Sequence, residues 1–277
     1  MRSEVQKWAT QIKKKAWIIS DTVSLGNVAH MRNLLTEIVP AEPESNKSLY
    51  GYSFLFNTQT NSDLGIDGYD NYQAPKSLSG QPLYLRRMWA GGEFEFVKKP
   101  HLGEVINCRE NITAARTIGN ATFVLINRDF KSSSSSLINE LRTLIYTNEP
   151  FQETKREDSP EQSFDHLFKT KFTLQHIMRY NFLTYNLHKI HYDAEFCRRE
   201  GFPNVLVSGP FMVLILLHYF CSKYAGISIR KFKYRNSRPC FIDTDVTLGI
   251  KEGHGCFEVQ LLCGQHIACS GVISPKL

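Results

Sequence analysis

The sequence predicts an α+β fold laid down twice, and two observations carry that expectation. Each half holds a helical run followed by strand-like segments, with a proline-led turn at Pro100 in the first half and Pro239 in the second. Each half also closes on a long antiparallel pair of strands. A helix packed across a curved antiparallel sheet is the arrangement that buries such a pattern. At roughly 150 residues per domain, the 277 residues suit two modest domains. The expected division is 1–150, a linker over 151–165, and 166–277.

Taken in order, residues 24–38 place Val28, Met31, Leu35 and Ile38 at helical spacing, which predicts an amphipathic helix. Residues 40–82 are rich in Asn, Ser, Gly, Asp and Pro and read as mostly loop. Strand-like runs follow at 93–97, 104–113, 121–128 and 137–146, with the serines of 132–136 as a hairpin loop between the last two. Apolar residues nearly vanish over 147–163, which is linker composition. A helical run at 174–183 then leads into a polar segment at 186–193 and a long apolar helix at 209–224. Strands return at 227–234, 246–250, 256–262 and 266–273, the last two joined by Gly264-Gln265, a connection that suits a type II′ hairpin.

Composition narrows the function classes. A hydrophobic fraction of 42% with 22% charged residues is ordinary for a globular chain and excludes long disorder. The 33 basic against 27 acidic residues leave +6, enough to favour an acidic partner and too little to announce a nucleic-acid binder. Seven cysteines without a CxxC pair fit a reducing compartment. The longest apolar run, 211–217, is far short of the roughly 20 residues that span a bilayer. The first sixteen residues carry Arg2, Lys7, Lys13, Lys14 and Lys15 against Glu4, and fit either an amphipathic organelle presequence or a solvated basic helix.

The densest polar constellation is 186–193, with Asn186, His188, His191, Tyr192 and Asp193; Ser208-Gly209-Pro210 opens the apolar helix shortly afterwards. A helix N-terminus offers unpaired N–H groups and about +0.5 of a charge, suited to an oxygen gaining negative charge. Pro210 fits the first turn, and Gly209 leaves its backbone open to a ligand. Histidine moves protons near neutral pH. Asp193 also suits an N-cap for a short helix over 194–198, and the HxxH spacing is half a metal site without a third ligand at recognisable spacing. The basic stretch Arg230, Lys231, Lys233, Arg235 and Arg238 alternates along a strand, either as a solvated edge or as a docking face for an acidic protein or a phosphate group.

Residues 182–193 (Phe-Leu-Thr-Tyr-Asn-Leu-His-Lys-Ile-His-Tyr-Asp), with Glu200-Gly201-Phe202-Pro203 and Val207-Ser208-Gly209-Pro210-Phe211, closely resemble the type 2 hydroxyacyl-thioester dehydratases. These belong with the MaoC-like and (R)-specific hydratases. The first half resembles the same subgroup through Asp67-Gly68 and the run Arg86-Arg87-Met88-Trp89-Ala90-Gly91-Gly92, and Arg235, Asn236, Arg238 and Pro239 match a third stretch. The resemblance implies a double hot-dog fold with a degenerate N-terminal copy. It implies dehydration of (3R)-hydroxyacyl thioesters to trans-2-enoyl thioesters, without metal or redox cofactor. For fungal relatives it implies mitochondrial fatty-acid synthesis on acyl carrier protein.

Carried over residue by residue, His191 is the catalytic base, His188 the second functional group, Asn186 the holder of hydroxyl or water, and Gly209 the backbone donor; Arg235, Arg238 and Tyr192 are carrier or substrate contacts. Asn186 stands where many (R)-hydratases have an acid, and Ser208 where the family usually has His. The first of these departures favours a rival, a non-catalytic acyl-binding protein. A thioesterase on the same scaffold is a further alternative. The last three residues, Pro275-Lys276-Leu277, resemble a poor peroxisomal signal, which leaves a peroxisomal enoyl-CoA hydratase as the alternative to the mitochondrial reading. Two hot-dog halves can make a monomer or pair again as a homodimer.

Overall fold

The computed structural model describes residues 2–42, 49–58, 63–133, 135–152 and 163–276. Most of the expected linker, residues 153–162, lies outside the described residues. Among the described residues ten antiparallel strands form one sheet: β1 (Trp17–Thr22), β2 (Arg86–Phe96), β3 (Val105–Ile118), β4 (Ala121–Lys131), β5 (Ser136–Thr147), β6 (His166–Lys171), β7 (Ile229–Asn236), β8 (Asp245–Gly253), β9 (Cys256–Cys263) and β10 (His266–Pro275). Their spatial order is β1-β3-β4-β5-β2-β7-β10-β9-β8-β6. Outward from the centre each half reads the same way, 2-5-4-3-1 on one side and 7-10-9-8-6 on the other. Two copies of one unit meet at β2 and β7, where Phe94 stands opposite Phe232.

The helices break that symmetry. In the C-terminal half α3 (Leu174–Thr184) and α4 (Ala194–Arg199) lead to α5 (Gly209–Lys223), whose residues from Phe211 to Cys221 are all buried. An apolar helix of this kind is stable only inside a core, and the sheet wraps it. Among the described residues, the N-terminal half has α2 (Leu25–Ile38), the counterpart of α3, but no counterpart of α5. A 3-10 turn at Tyr52–Phe54 and irregular chain occupy that place. The stretch expected as loop is mostly irregular, but part of it is core, with Tyr50, Tyr52, Phe54, Leu55 and Phe56 all buried.

The remaining concave surface of the N-terminal sheet is filled in two ways. Helix α1 (Arg2–Ile12) buries Val5, Trp8, Ala9 and Ile12 against Ile112, Val124, Ile126 and Leu144. The basic N-terminal segment is thus a docked helix and not a solvated one. Beside it runs a rung of charge on three adjacent strands, Glu110 opposite Arg128 opposite Glu140. Arg128 Nε lies 2.7 Å from Glu110 and its Nη1 3.2 Å from Glu140, with all three nearly sealed from solvent. Arg142 joins Glu140 from the next inward position, while Tyr72 and Gln73 donate to Glu110. Charges this deep persist only when paired and hydrogen-bonded.

Sequence reading missed two short strands, β1 and β6. Both are edge strands with a half-exposed, alternating pattern, and β6 follows directly on linker-like composition. The tryptophan–glycine run is strand as well: β2 contains it, with a bulge between Trp89 and Gly91 against β5.

Candidate active site

The polar segment after α3 folds into a single tight turn. Helix α3 stops where Tyr185 takes a left-handed conformation, φ 52°. Asn186 then accepts the backbone N–H of His188 on its Oδ1 at 3.1 Å, and a 3-10 turn spans Lys189–His191. Asp193 ends it by capping α4, accepting the Phe196 N–H at 2.8 Å. Asn186, His188 and His191 are thereby brought together, and the two imidazoles stand edge to face with ring centres 5.4 Å apart.

Both rings are 7% exposed. His191 Nδ1 is 2.9 Å from the carbonyl oxygen of Leu206. A carbonyl only accepts, so Nδ1 carries the proton and Nε2 of the neutral ring carries a lone pair. Burial pushes the His191 pKa down to about 4, opposed by that carbonyl bond. His188 is held well below the usual imidazole value by burial first, then by His191 and by the Arg87 guanidinium. Both rings are neutral at physiological pH and able to take up a proton.

Leu206 lies three residues before Gly209, where α5 begins. Three residues of chain span at most about 10 Å, so the His191 ring is tied to the same short segment as the helix N-terminus. Pro210 sits in the first turn, and Ser208, at the N-cap, makes no side-chain cap. The expected openness of Gly209 is not what the structure shows. A methyl group there would stand 2.5 Å from Asn236 Nδ2 and 3.3 Å from Trp89 Cβ. Glycine is required by close packing across the β2–β7 seam, where Asn236 Nδ2 also donates to the Trp89 carbonyl at 2.9 Å. A ligand can meet the backbone at this point only from the opposite side.

A cavity of about 90 Å³ opens beside the turn, lined among others by Tyr69, Trp89, Arg142, Tyr180, Asn186 and Pro210. It joins the start of α5 to the region where the N-terminal half lacks its helix. His188 and His191 are not among its lining residues, although the neighbouring Asn186 and Leu187 are. Tyr180 stacks on Phe211 with ring centres 4.4 Å apart, and Arg142 lies over the Trp89 ring at 4.6 Å. The rim carries exposed Leu64, Tyr185 and Leu187.

The outer candidates divide. The Tyr192 hydroxyl donates to the Leu187 carbonyl at 3.1 Å, bracing the turn. Arg235 is exposed, opposite Gly91 on one side and Ser270 on the other, next to the Asn236 that packs on Gly209. Lys231 by contrast is paired with Glu93 at 2.7 Å, so part of the basic stretch is neutralised within the sheet.

The family model described as hydroxyacyl-thioester dehydratase type 2 matches residues 51–242, which includes both the loop at Asp67 and the histidine turn. The chain belongs to this family. It is 29% identical over 264 residues to the mitochondrial hydroxyacyl-thioester dehydratase type 2 of Saccharomyces cerevisiae, covering 90% of this chain and 94% of that one. The similar protein of Schizosaccharomyces pombe is 30% identical over 239 residues, 73% of this chain and 77% of its own. Among solved structures, a MaoC-like dehydratase from Phytophthora capsici superposes with a TM-score of 0.70 at 12% identity, covering 97% of each chain, which establishes the double hot-dog fold.

Sequence reading found the dehydratase turn and the start of α5 but gave no role to Asp67, Arg87, Tyr69, Tyr180 or Arg142. Family resemblance marked Asp67 and Arg87. Only the folded chain shows that they lie against a turn some 120 residues away.

Proposed function

We propose that this protein is a hydro-lyase that dehydrates (3R)-hydroxyacyl thioesters to trans-2-enoyl thioesters in mitochondrial fatty-acid synthesis. The single observation that carries the reading is the His191–Leu206 bond, which presents a neutral imidazole with a free Nε2 on the segment that opens α5. The first N–H groups of a helix have no intrahelical acceptor. A thioester carbonyl seated there has its developing negative charge stabilised, an effect worth about 3–4 kcal/mol per donor in other enzymes. That weakens the α C–H bond, and His191 Nε2 takes the proton. The β-hydroxyl leaves as water, protonated by the His191 imidazolium formed in that step, directly or relayed through His188.

Family membership and the names of both yeast relatives support the thioester substrate and the mitochondrial setting. Acyl carrier protein is the proposed carrier. Its acidic surface would meet Arg235, exposed on the outer face of β7, and beyond the strand Arg238.

One observation favours a rival, a non-catalytic acyl-binding protein: Asn186 spends its Oδ1 on the turn itself. A hydration assay separates the two. Purified protein given crotonyl-CoA or crotonyl-carrier protein should turn either over, with the carrier form preferred and that preference reduced by Arg235→Glu. A thermal shift with the thioester and no turnover would instead make it a binding module.

A further inference from the structure

We propose that Asp67, supplied by the N-terminal half, is the positioning carboxylate for His188, fixing the ring with its Nε2–H toward Asp67 and its Nδ1 lone pair turned away. The inference rests on the reading of His188 as a proton-transfer group. Asn186 cannot exchange a proton at ordinary pH, and Asp193, the acid of segment 186–193, is engaged as the cap of α4. The structure brings one in from elsewhere. Asp67 Oδ2 lies 3.6 Å from His188 Nε2, both side chains being nearly buried. That is slightly longer than a hydrogen bond and within ion-pair reach.

The carboxylate is itself held from two sides, and the backbone of Asp67 from a third. Arg87 forks onto it, Nε 2.8 Å from Oδ2 and Nη2 3.3 Å from Oδ1, while its other donors reach the Asp70 carbonyl and Asn71 Oδ1. The Tyr69 N–H donates to Oδ1 at 3.1 Å. The Asp67 carbonyl accepts the Lys189 N–H at 2.8 Å, and Lys189 Nζ in turn donates to the Ile66 carbonyl at 2.8 Å. Gly68 lets the loop come this close: its φ is +79°, and a methyl group there would sit 2.4 Å from the Leu187 carbonyl.

Loop and turn therefore form one body, and a fixed carboxylate faces one nitrogen of a ring whose neutral form has two tautomers. A carboxylate beside an imidazole selects the tautomer with N–H toward it. Burial, His191 and Arg87 keep the ring neutral, so Asp67 orients a proton-transfer group without charging it.

The test is a double-mutant cycle in crotonyl-CoA hydration, begun once His191→Ala has been shown to abolish turnover, so that a failure of the dehydratase reading is seen separately. Asp67→Asn keeps the Oδ1 acceptor and the backbone bonds. It should lower kcat roughly 10²-fold with KM little changed. His188→Ala with and without Asp67→Asn should be equally slow, because the carboxylate acts only through that ring. Multiplying losses, or a kcat within threefold of wild type in a folded Asp67→Asn protein, would overturn the proposal. Should Asp67→Asn fail to fold, nitrogen-15 NMR of histidine-labelled wild-type protein decides: an Nε2–H tautomer for His188 supports the proposal, and an Nδ1–H tautomer overturns it.

Discussion

The two halves share one strand order and differ in what lies in the hand of the sheet. The C-terminal half keeps a buried helix, α5, and with it a helix N-terminus, the segment that anchors His191 and one wall of the cavity. Its N-terminal counterpart has exchanged the helix for aromatic side chains, α1 and the Glu110–Arg128–Glu140 rung. Removing the rod from one copy opens a space beside the other copy's helix start, and the cavity lies there. It also frees a loop, 63–71, to reach over and hold the histidine turn. Degeneracy in one half is therefore part of the site in the other.

The largest effect that would break this contrast is expected in the N-terminal half. Arg128→Met leaves two buried carboxylates without their shared partner and should cost about 3–5 kcal/mol, read as a fall in the urea midpoint. A loss under about 1 kcal/mol would mean the rung is not the structural substitute for the missing helix.

The second expectation concerns the C-terminal half and acid. In the unfolded chain the His191 imidazole protonates near pH 6.5, and in the folded protein only near about 4. Between those values the unfolded state binds more protons, so stability falls as pH drops from 6.5 toward 4 and is unaffected above. His191 alone accounts for about 3 kcal/mol of that loss, and His188 adds to it in the same direction. Urea midpoints across this range in wild type and His191→Gln give the difference. Equal slopes in the two proteins would contradict the buried, neutral ring.

A smaller change sharpens the seam between the halves. Gly209→Ala places a methyl group against Asn236 and Trp89 and should cost about 1–3 kcal/mol by overpacking. Because it shifts the start of α5, kcat should fall more than the thermal midpoint suggests. An alanine variant with wild-type kcat would separate α5's packing role from its proposed part in catalysis.

Local patterns made much of this legible. Period-two alternation located eight of the strands, since inward positions of a half-buried sheet are apolar. The apolar run after Gly209 located α5, and the residue types of 186–193 located the turn. Edge strands β1 and β6 escaped because half their residues face solvent. The charge rung was visible in principle: Arg128 falls in phase with Thr122, Val124, Ile126 and Phe130, a cation at an inward position that needs buried acids. The contact of Asp67 with His188 was not visible, because it joins residues some 120 apart along the chain. Gly209 was misread for a similar reason: its crowding comes from strands β2 and β7, neither adjacent in sequence.

The central claim is that His191 performs the proton transfer from a position fixed by the Leu206 carbonyl. Its most direct test is the dehydration rate of (3R)-hydroxybutyryl-CoA by His191→Asn protein whose urea midpoint at pH 8 matches wild type. A fall of roughly 10³-fold or more is predicted, in line with removal of an essential proton-transfer group. A rate within tenfold of wild type would contradict the account and move the chemistry away from this turn.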